Sequence, residues 1–150
     1  MKTSVLIVDD DESARAFCAE SLTALGFETQ AAESADAALA QLATGQFEIV
    51  LADVRMPGMG GLELLKIVKQ DYPGVDVVMI TGFGTVSSAV QAMKQGAYDY
   101  LTKPLRLVDL DRVFRRLVEK QELATENRLL REQLKAHQGF ANLIGTSPRM

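Results

Sequence analysis

Ile49-Val50-Leu51-Ala52-Asp53-Val54-Arg55-Met56-Pro57-Gly58 runs from an unbroken apolar segment onto a single carboxylate, and a Pro-Gly pair then turns the chain away. Nothing polar interrupts residues 49–52, so the segment fits a strand covered on both faces rather than one with a wet side. Such a strand delivers Asp53 to its C-terminal tip. An Asp ahead of a turn often serves only to hydrogen-bond the turn's own backbone, and these ten residues alone do not exclude that role. What the rest of the chain brings to the same place decides between a capping acid and a reactive one.

Two patterns alternate outward from that strand. Residues 4–9 carry Val-Leu-Ile-Val and read as another buried strand, followed by Ala14, Phe17, Cys18, Ser21, Leu22 and Leu25 at helical spacing, with Gly26 as the stop. Residues 27–32 read as a weaker strand. Ser34 is placed to cap a helix bearing Ala35, Ala38, Leu39 and Leu42, ended near Gly45. Downstream, Leu62, Leu65, Val68 and Tyr72 mark a helix closed by Pro73-Gly74, and 75–81 reads as a strand. Val86, Ala89, Val90 and Met93 share one helical face up to Gly96, and 97–102 is a last strand that Lys103-Pro104 breaks. A fifth helix begins at Leu107. Strands alternating with helices in this way predict an α/β protein whose parallel sheet is covered on both faces. The two common orders for such a sheet both bind ligands at the carboxyl ends of the strands. In the flavodoxin-like order 2-1-3-4-5 the switch point falls between the first and third strands.

The strand ends carry the functional signal. The first ends at Asp9-Asp10, the third at Asp53, the fourth at Thr81 and the fifth at Lys103, so one edge of the sheet receives three carboxylates, a hydroxyl and an ammonium. Crowded carboxylates repel unless a cation neutralises them, and Mg²⁺ suits one or two carboxylates together with water and phosphate oxygens. Asp10 and Asp53 are the candidates for direct ligands, with Asp9 acting through water and the Arg55 carbonyl as a further oxygen. A free oxygen on Asp53 could then attack phosphorus. Lys103 would offset charge on the phosphoryl oxygens and Thr81 could hydrogen-bond one of them, as phosphoryl transfer requires. Each residue has a plainer reading too: Asp11 and Glu12 as helix-dipole compensation, Thr81 as an ordinary strand end, Lys103 as a solvated loop lysine. His137 is remote from every strand tip, so acyl transfer by a Ser or Cys nucleophile has little support.

Bulk properties bound the rest. The 150 residues fit one domain with sequence to spare, and 47% apolar with 24% charged residues excludes a disordered chain. A formal charge of −4 argues against a nucleic-acid surface on this chain. Cys18 is the lone cysteine, so no intrachain disulfide forms, which suits a reducing cytoplasm; its place in an apolar stripe suggests packing. No apolar run reaches membrane-spanning length. The expected location is cytoplasmic, without membrane contact.

Val8-Asp9-Asp10, Asp53-Val-Arg-Met-Pro57-Gly-Met-Gly-Gly61, Thr81-Gly82 and Lys103-Pro104 together resemble the signature of the receiver domains of two-component response regulators, over residues 1 to about 120. The resemblance implies a flavodoxin-like, doubly wound five-stranded parallel sheet in the order 2-1-3-4-5. It implies that Asp53 accepts a phosphoryl group from a sensor histidine kinase, with Mg²⁺ bound by Asp9, Asp10 and Asp53, and that Thr81 and Lys103 sense that group. It also makes Tyr100 a rotamer switch and Lys103-Pro104 a cis bond. Gly60 departs from the pattern, standing where many members have Asp or Asn, so the third helix loses a side-chain cap. Arg55 and Phe83, each two residues beyond a site residue, stand where water would enter; their bulk is expected to lengthen the phosphoryl lifetime. An unchanged dephosphorylation rate in the double Ala variant would overturn that expectation.

Beyond the fifth helix's own stripe of Leu107, Leu110, Val113, Phe114 and Leu117, residues 119–135 hold no Gly or Pro and favour continued helix. There Leu123 and Leu130 fall at heptad d positions and Asn127 and Leu134 at a, with Glu126 at g and Arg131 at the following e. This pattern predicts a parallel homodimer; an incidental leucine stripe on a solvated helix is the plainer reading. Gly139 is expected to end the helix. The segment 142–150 then resembles the entry to the ATPase domain of sigma-54-dependent transcription activators of the NtrC/DctD type. The expected organisation is therefore a receiver at 1–119, a helical coiled-coil linker at 120–138 and the start of an ATPase domain at 139–150, with the regulatory part not itself an enzyme. Two rivals are a stand-alone receiver that signals by docking and an aspartyl-phosphate phosphatase of the haloacid dehalogenase type. The latter expects a second Asp two residues after the first, where Arg55 stands. A flavin-binding reading lacks a Ser/Thr/Gly-rich phosphate loop after the first strand.

Overall fold

The computed structural model describes the backbone of residues 2–82 and 86–144, and the side chains of all of these but Val86 and 135–144. Ten elements alternate: β1 (Ser4–Val8), α1 (Glu12–Ala24), β2 (Glu28–Ala32), α2 (Ala35–Thr44), β3 (Ile49–Asp53), α3 (Gly61–Asp71), β4 (Asp76–Thr81), α4 (Val86–Lys94), β5 (Asp99–Thr102) and α5 (Leu107–Ile144). The strands form one parallel sheet in the order β2-β1-β3-β4-β5. This is the flavodoxin-like order, and its reversal of direction lies between β1 and β3.

The register follows from hydrophobic burial. All five residues of β3 and all six of β4 are buried, as are four of the five in β1. The unbroken apolar runs that made these strands legible are the two-sided covering of a central strand. β2 is an edge strand exposed along most of its length, which is why its apolar signal is weak. A core of Leu6, Val8, Val50, Leu64, Leu65 and Met79, with their neighbours, fills the α2–α3 side of the sheet. Leu110, Val113 and Phe114 are buried on α5, and Phe114 meets Phe27 edge-on at 5.4 Å between ring centroids.

Caps set the helix ends. Asp11 accepts from the Ser13 amide and Ser34 from the Ala37 amide, starting α1 and α2 as Ncap residues. α3 begins after Gly60 with no side-chain cap, as the departure at that position predicts. Two helical faces differ from expectation. Among the described side chains of α4 the buried ones are Ala89 and Ala92, whereas Val90 and Met93 are exposed; on α1 Phe17 is exposed while Cys18, Ser21 and Leu22 are buried. α5 also passes through Gly139 and ends at Ile144. A lone glycine lowers helix propensity by about 1 kcal/mol but removes no hydrogen bond, so it weakens a helix without stopping it. By packing, the chain divides into residues 1–114 and 115–150. No described helix is long and apolar enough to cross a membrane.

Candidate functional site

The parallel sheet sends every strand's C-terminus to one edge, and the sequence-predicted residues meet there. Asp9 follows β1 and is fully buried; Asp53 ends β3 at 4% exposure; Thr81 ends β4 at 1%. Asp10 stands exposed beside them, and carboxylate oxygens of Asp9, Asp10 and Asp53 all lie within 4.8 Å of one another. Lys103, just past β5, places Nζ 2.8 Å from Asp53 Oδ2 and 3.9 Å from Asp9 Oδ2. The strand order thus brings residues 50 apart into a hydrogen bond. The Lys103-Pro104 bond is cis, as the resemblance implies.

Both oxygens of Asp53 are engaged. Oδ1 accepts the Arg55 amide at 3.0 Å, in the turn-capping contact that the plainer reading predicts, and Oδ2 accepts Lys103. Capping and clustering therefore coexist. The turn that follows packs tightly: the Gly61 amide donates to the Val54 carbonyl at 2.9 Å, and a Cβ on Gly61 would run into the Asp53 carbonyl. That close approach explains a glycine at the first position of a helix, where its low propensity is otherwise a cost.

Electrostatics mark Asp9. Burial pushes its carboxyl up to about 6, opposed by the Asp11 amide that donates to Oδ1 at 2.9 Å and reinforced by the Asp53 charge. Among the described residues, Asp9 Oδ2 is the buried side-chain polar atom without a hydrogen-bond partner. Burial lowers the proton affinity of Lys103, but the Asp53 hydrogen bond and charge outweigh it and raise the ammonium above its usual range. A buried carboxylate oxygen that accepts no hydrogen bond, with the Lys103 ammonium no nearer than 3.9 Å, beside two further carboxylates fits a hard, oxygen-seeking dication of the Mg²⁺ kind, since a cation would satisfy the atom that no hydrogen bond reaches.

The remaining predicted residues are near but differently disposed. Thr81 turns its hydroxyl back into the sheet, donating to the Leu101 carbonyl at 3.4 Å. Arg55 is exposed on the turn after Asp53. Tyr100 is 40% exposed and, with Ala89, Val90, Met93 and Lys94, lines a shallow hollow of about 360 Å³. Phe83 lies outside the described residues, as does the segment 145–150. Sequence reading missed Arg15, which reaches from the first turn of α1 to donate to the Asp9 carbonyl at 2.7 Å. Its only sequence signal is a long cationic side chain one helical turn past an acidic strand tip.

Known proteins resemble this chain in sequence and in fold. The C4-dicarboxylate transport transcriptional regulatory protein DctD of Rhizobium meliloti is 39% identical over 147 residues, which is 98% of this chain and 32% of that protein. The DNA-binding transcriptional regulator NtrC of Proteus hauseri is 36% identical over 99% of this chain and 31% of its own length. The chain thus spans about a third of these relatives. Among solved structures, NtrX from Brucella abortus superposes with a TM-score of 0.81 at 36% identity, over 87% of this chain and 30% of that one. A response regulator receiver domain protein from Clostridium thermocellum superposes at 0.76 with 27% identity, over 81% of this chain and 98% of that one. The family described as response regulator receiver domain matches residues 5–115. With a flavodoxin-like sheet, an acid cluster and lysine at its carboxyl edge and a family match across the sheet and its helices, the chain belongs to the response regulator receiver domains of two-component signalling.

Proposed function

We propose that Asp53 is the phosphoryl acceptor of this receiver and that a sensor histidine kinase is the donor. The observation that carries this is the convergence of Asp9, Asp10 and Asp53 within 4.8 Å, with the Lys103 ammonium 2.8 Å from Asp53. An Asp53 oxygen forms the new P–O bond as the donor's P–N bond breaks; the electron pair returns to the imidazole nitrogen, which takes a proton. Lys103 stays beside the acceptor oxygen and offsets negative charge as it moves onto the phosphoryl group. Thr81, released from the Leu101 carbonyl, supplies a hydroxyl to a phosphoryl oxygen, and Tyr100 changes rotamer in response. Asp9, Asp10, Asp53 and the Arg55 carbonyl would hold Mg²⁺. That ion, when bound, neutralises charge that would otherwise repel the incoming phosphoryl group.

Incubation with a small phosphodonor and Mg²⁺ tests the assignment. A stable mass gain of one phosphoryl group, absent from Asp53→Asn, is expected. Rapid multiple turnover with no adduct would favour the phosphatase reading, and an adduct surviving in Asp53→Asn would move the acceptor elsewhere.

The reading extends to the longer proteins this chain resembles. We infer that the receiver, not itself a turnover enzyme, regulates a sigma-54-dependent transcription activator whose ATPase domain follows in the full-length chain. The boundaries 1–119, 120–138 and 139–150 describe that organisation. A homodimer through α5 is supported by exposed Leu123, Leu130 and Leu134, at 60%, 50% and 62% exposure. These leucines also disfavour a stand-alone docking receiver.

A further inference from the structure

Arg15 crosses the β1–α1 turn twice. Its backbone amide donates to the Asp11 carbonyl at 3.0 Å, the first helical hydrogen bond of α1, and its Nη1 donates to the Asp9 carbonyl at 2.7 Å. On the other side the Asp9 amide donates to the Ala32 carbonyl at 3.2 Å. Asp9 is thereby pinned by its main chain from both directions. The Asp11 amide then fixes its side chain through Oδ1, which leaves Oδ2 without a hydrogen-bond partner. Among the described residues, Arg15 is the side-chain donor on the Asp9 carbonyl, and the shape of the turn sets where the Asp9 and Asp10 carboxylates stand relative to Asp53.

We propose that Arg15 is a positioning residue for Mg²⁺: it clamps the β1–α1 turn in the shape that converges the Asp9 and Asp10 carboxylates on Asp53. The proposal rests on the reading of those three acids as the Mg²⁺ site. It has a distinctive sign. As a charge alone, a guanidinium near the acids opposes a dication, so its removal would tighten binding. As a clamp, its removal weakens binding, because partners that orient metal-binding groups typically change affinity by about 10- to 100-fold.

Calorimetric titration of Mg²⁺ into the full chain separates these cases, with each variant held at a temperature where circular dichroism shows it folded. Arg15→Met keeps the aliphatic stem and loses the donor; it is expected to bind Mg²⁺ about 10- to 100-fold more weakly, with Arg15→Lys recovering most of the loss. A merely structural role would lower the unfolding temperature and leave the affinity of the folded chain unchanged. Unchanged or tighter binding by Arg15→Met overturns the proposal. If that variant does not fold, Arg15→Gln takes its place with the same expected loss and the same overturning result. Failure of the underlying reading looks different: the wild-type chain would take up no Mg²⁺, or Asp53→Asn would bind it as tightly as wild type, and the proposal would fall with it.

Discussion

Burial at the end of β1 pushes the Asp9 carboxyl up to about 6, which couples folding to proton binding at this residue. The folded chain holds the proton more tightly than the unfolded one, so Asp9 is least costly below the ordinary aspartate range. Its contribution then turns unfavourable as pH rises from about 4 through about 6. The displacement corresponds to about 3 kcal/mol at most. In chelator, Asp9→Asn is therefore expected to stabilise the fold at pH 7.5 by up to that amount and to do little at pH 4, read from urea midpoints. Equal shifts at both pH values would refute the coupling. At the neighbouring turn, Gly61→Ala is expected to cost about 1–3 kcal/mol and to impair phosphoryl uptake, because its Cβ collides with the Asp53 carbonyl. Asp9, Asp10, Asp53 and Thr81 are readable in the sequence because they close the apolar runs of β1, β3 and β4, and Lys103 because Pro104 breaks the short strand before it; a parallel sheet sends all these ends to one edge. Arg15 is not readable, because its contact depends on the path of the β1–α1 turn, which no periodicity records.

At the scale of elements, the signal tracks burial. β1, β3 and β4 stand out as apolar runs because both of their faces are covered, whereas β2 is recognisable mainly from its place between two helices. The face of α4 shows where hydrophobicity misleads: the small residues Ala89 and Ala92 pack inward, and the larger Val90 and Met93 remain outside. Close helix–sheet approach selects by size as well as by polarity. α3 lacks a side chain at its Ncap, and a Cβ on Gly60 would meet nothing closer than the Val54 carbonyl at 3.6 Å. Gly60→Asp is thus expected to stabilise the fold by about 0.3 kcal/mol, a small gain that thermal unfolding followed across several pH values would register. A loss of stability would show that added charge beside the acid cluster outweighs the cap.

At the scale of the whole molecule, α5 separates what the sheet needs from what it does not. Leu110, Val113 and Phe114 are buried, while Leu123, Leu129, Leu130 and Leu134 are at least half exposed. Replacing Leu123, Leu130 and Leu134 together by Lys is expected to halve the sedimenting mass of the chain without altering phosphoryl uptake by Asp53. An unchanged mass would rule out α5 as the seam. The sequence displays this stripe but not its partner, since a second copy leaves no mark on the composition of the first. Cys18 makes such questions experimentally convenient. It is 1% exposed, and burial lifts its thiol to about 12, so the reactive thiolate is scarce and shielded at neutral pH. A maleimide dye or spin label will therefore pass it by. Any single cysteine introduced on α4 or α5 becomes an addressable reporter in an otherwise native chain, with no background thiol to remove first.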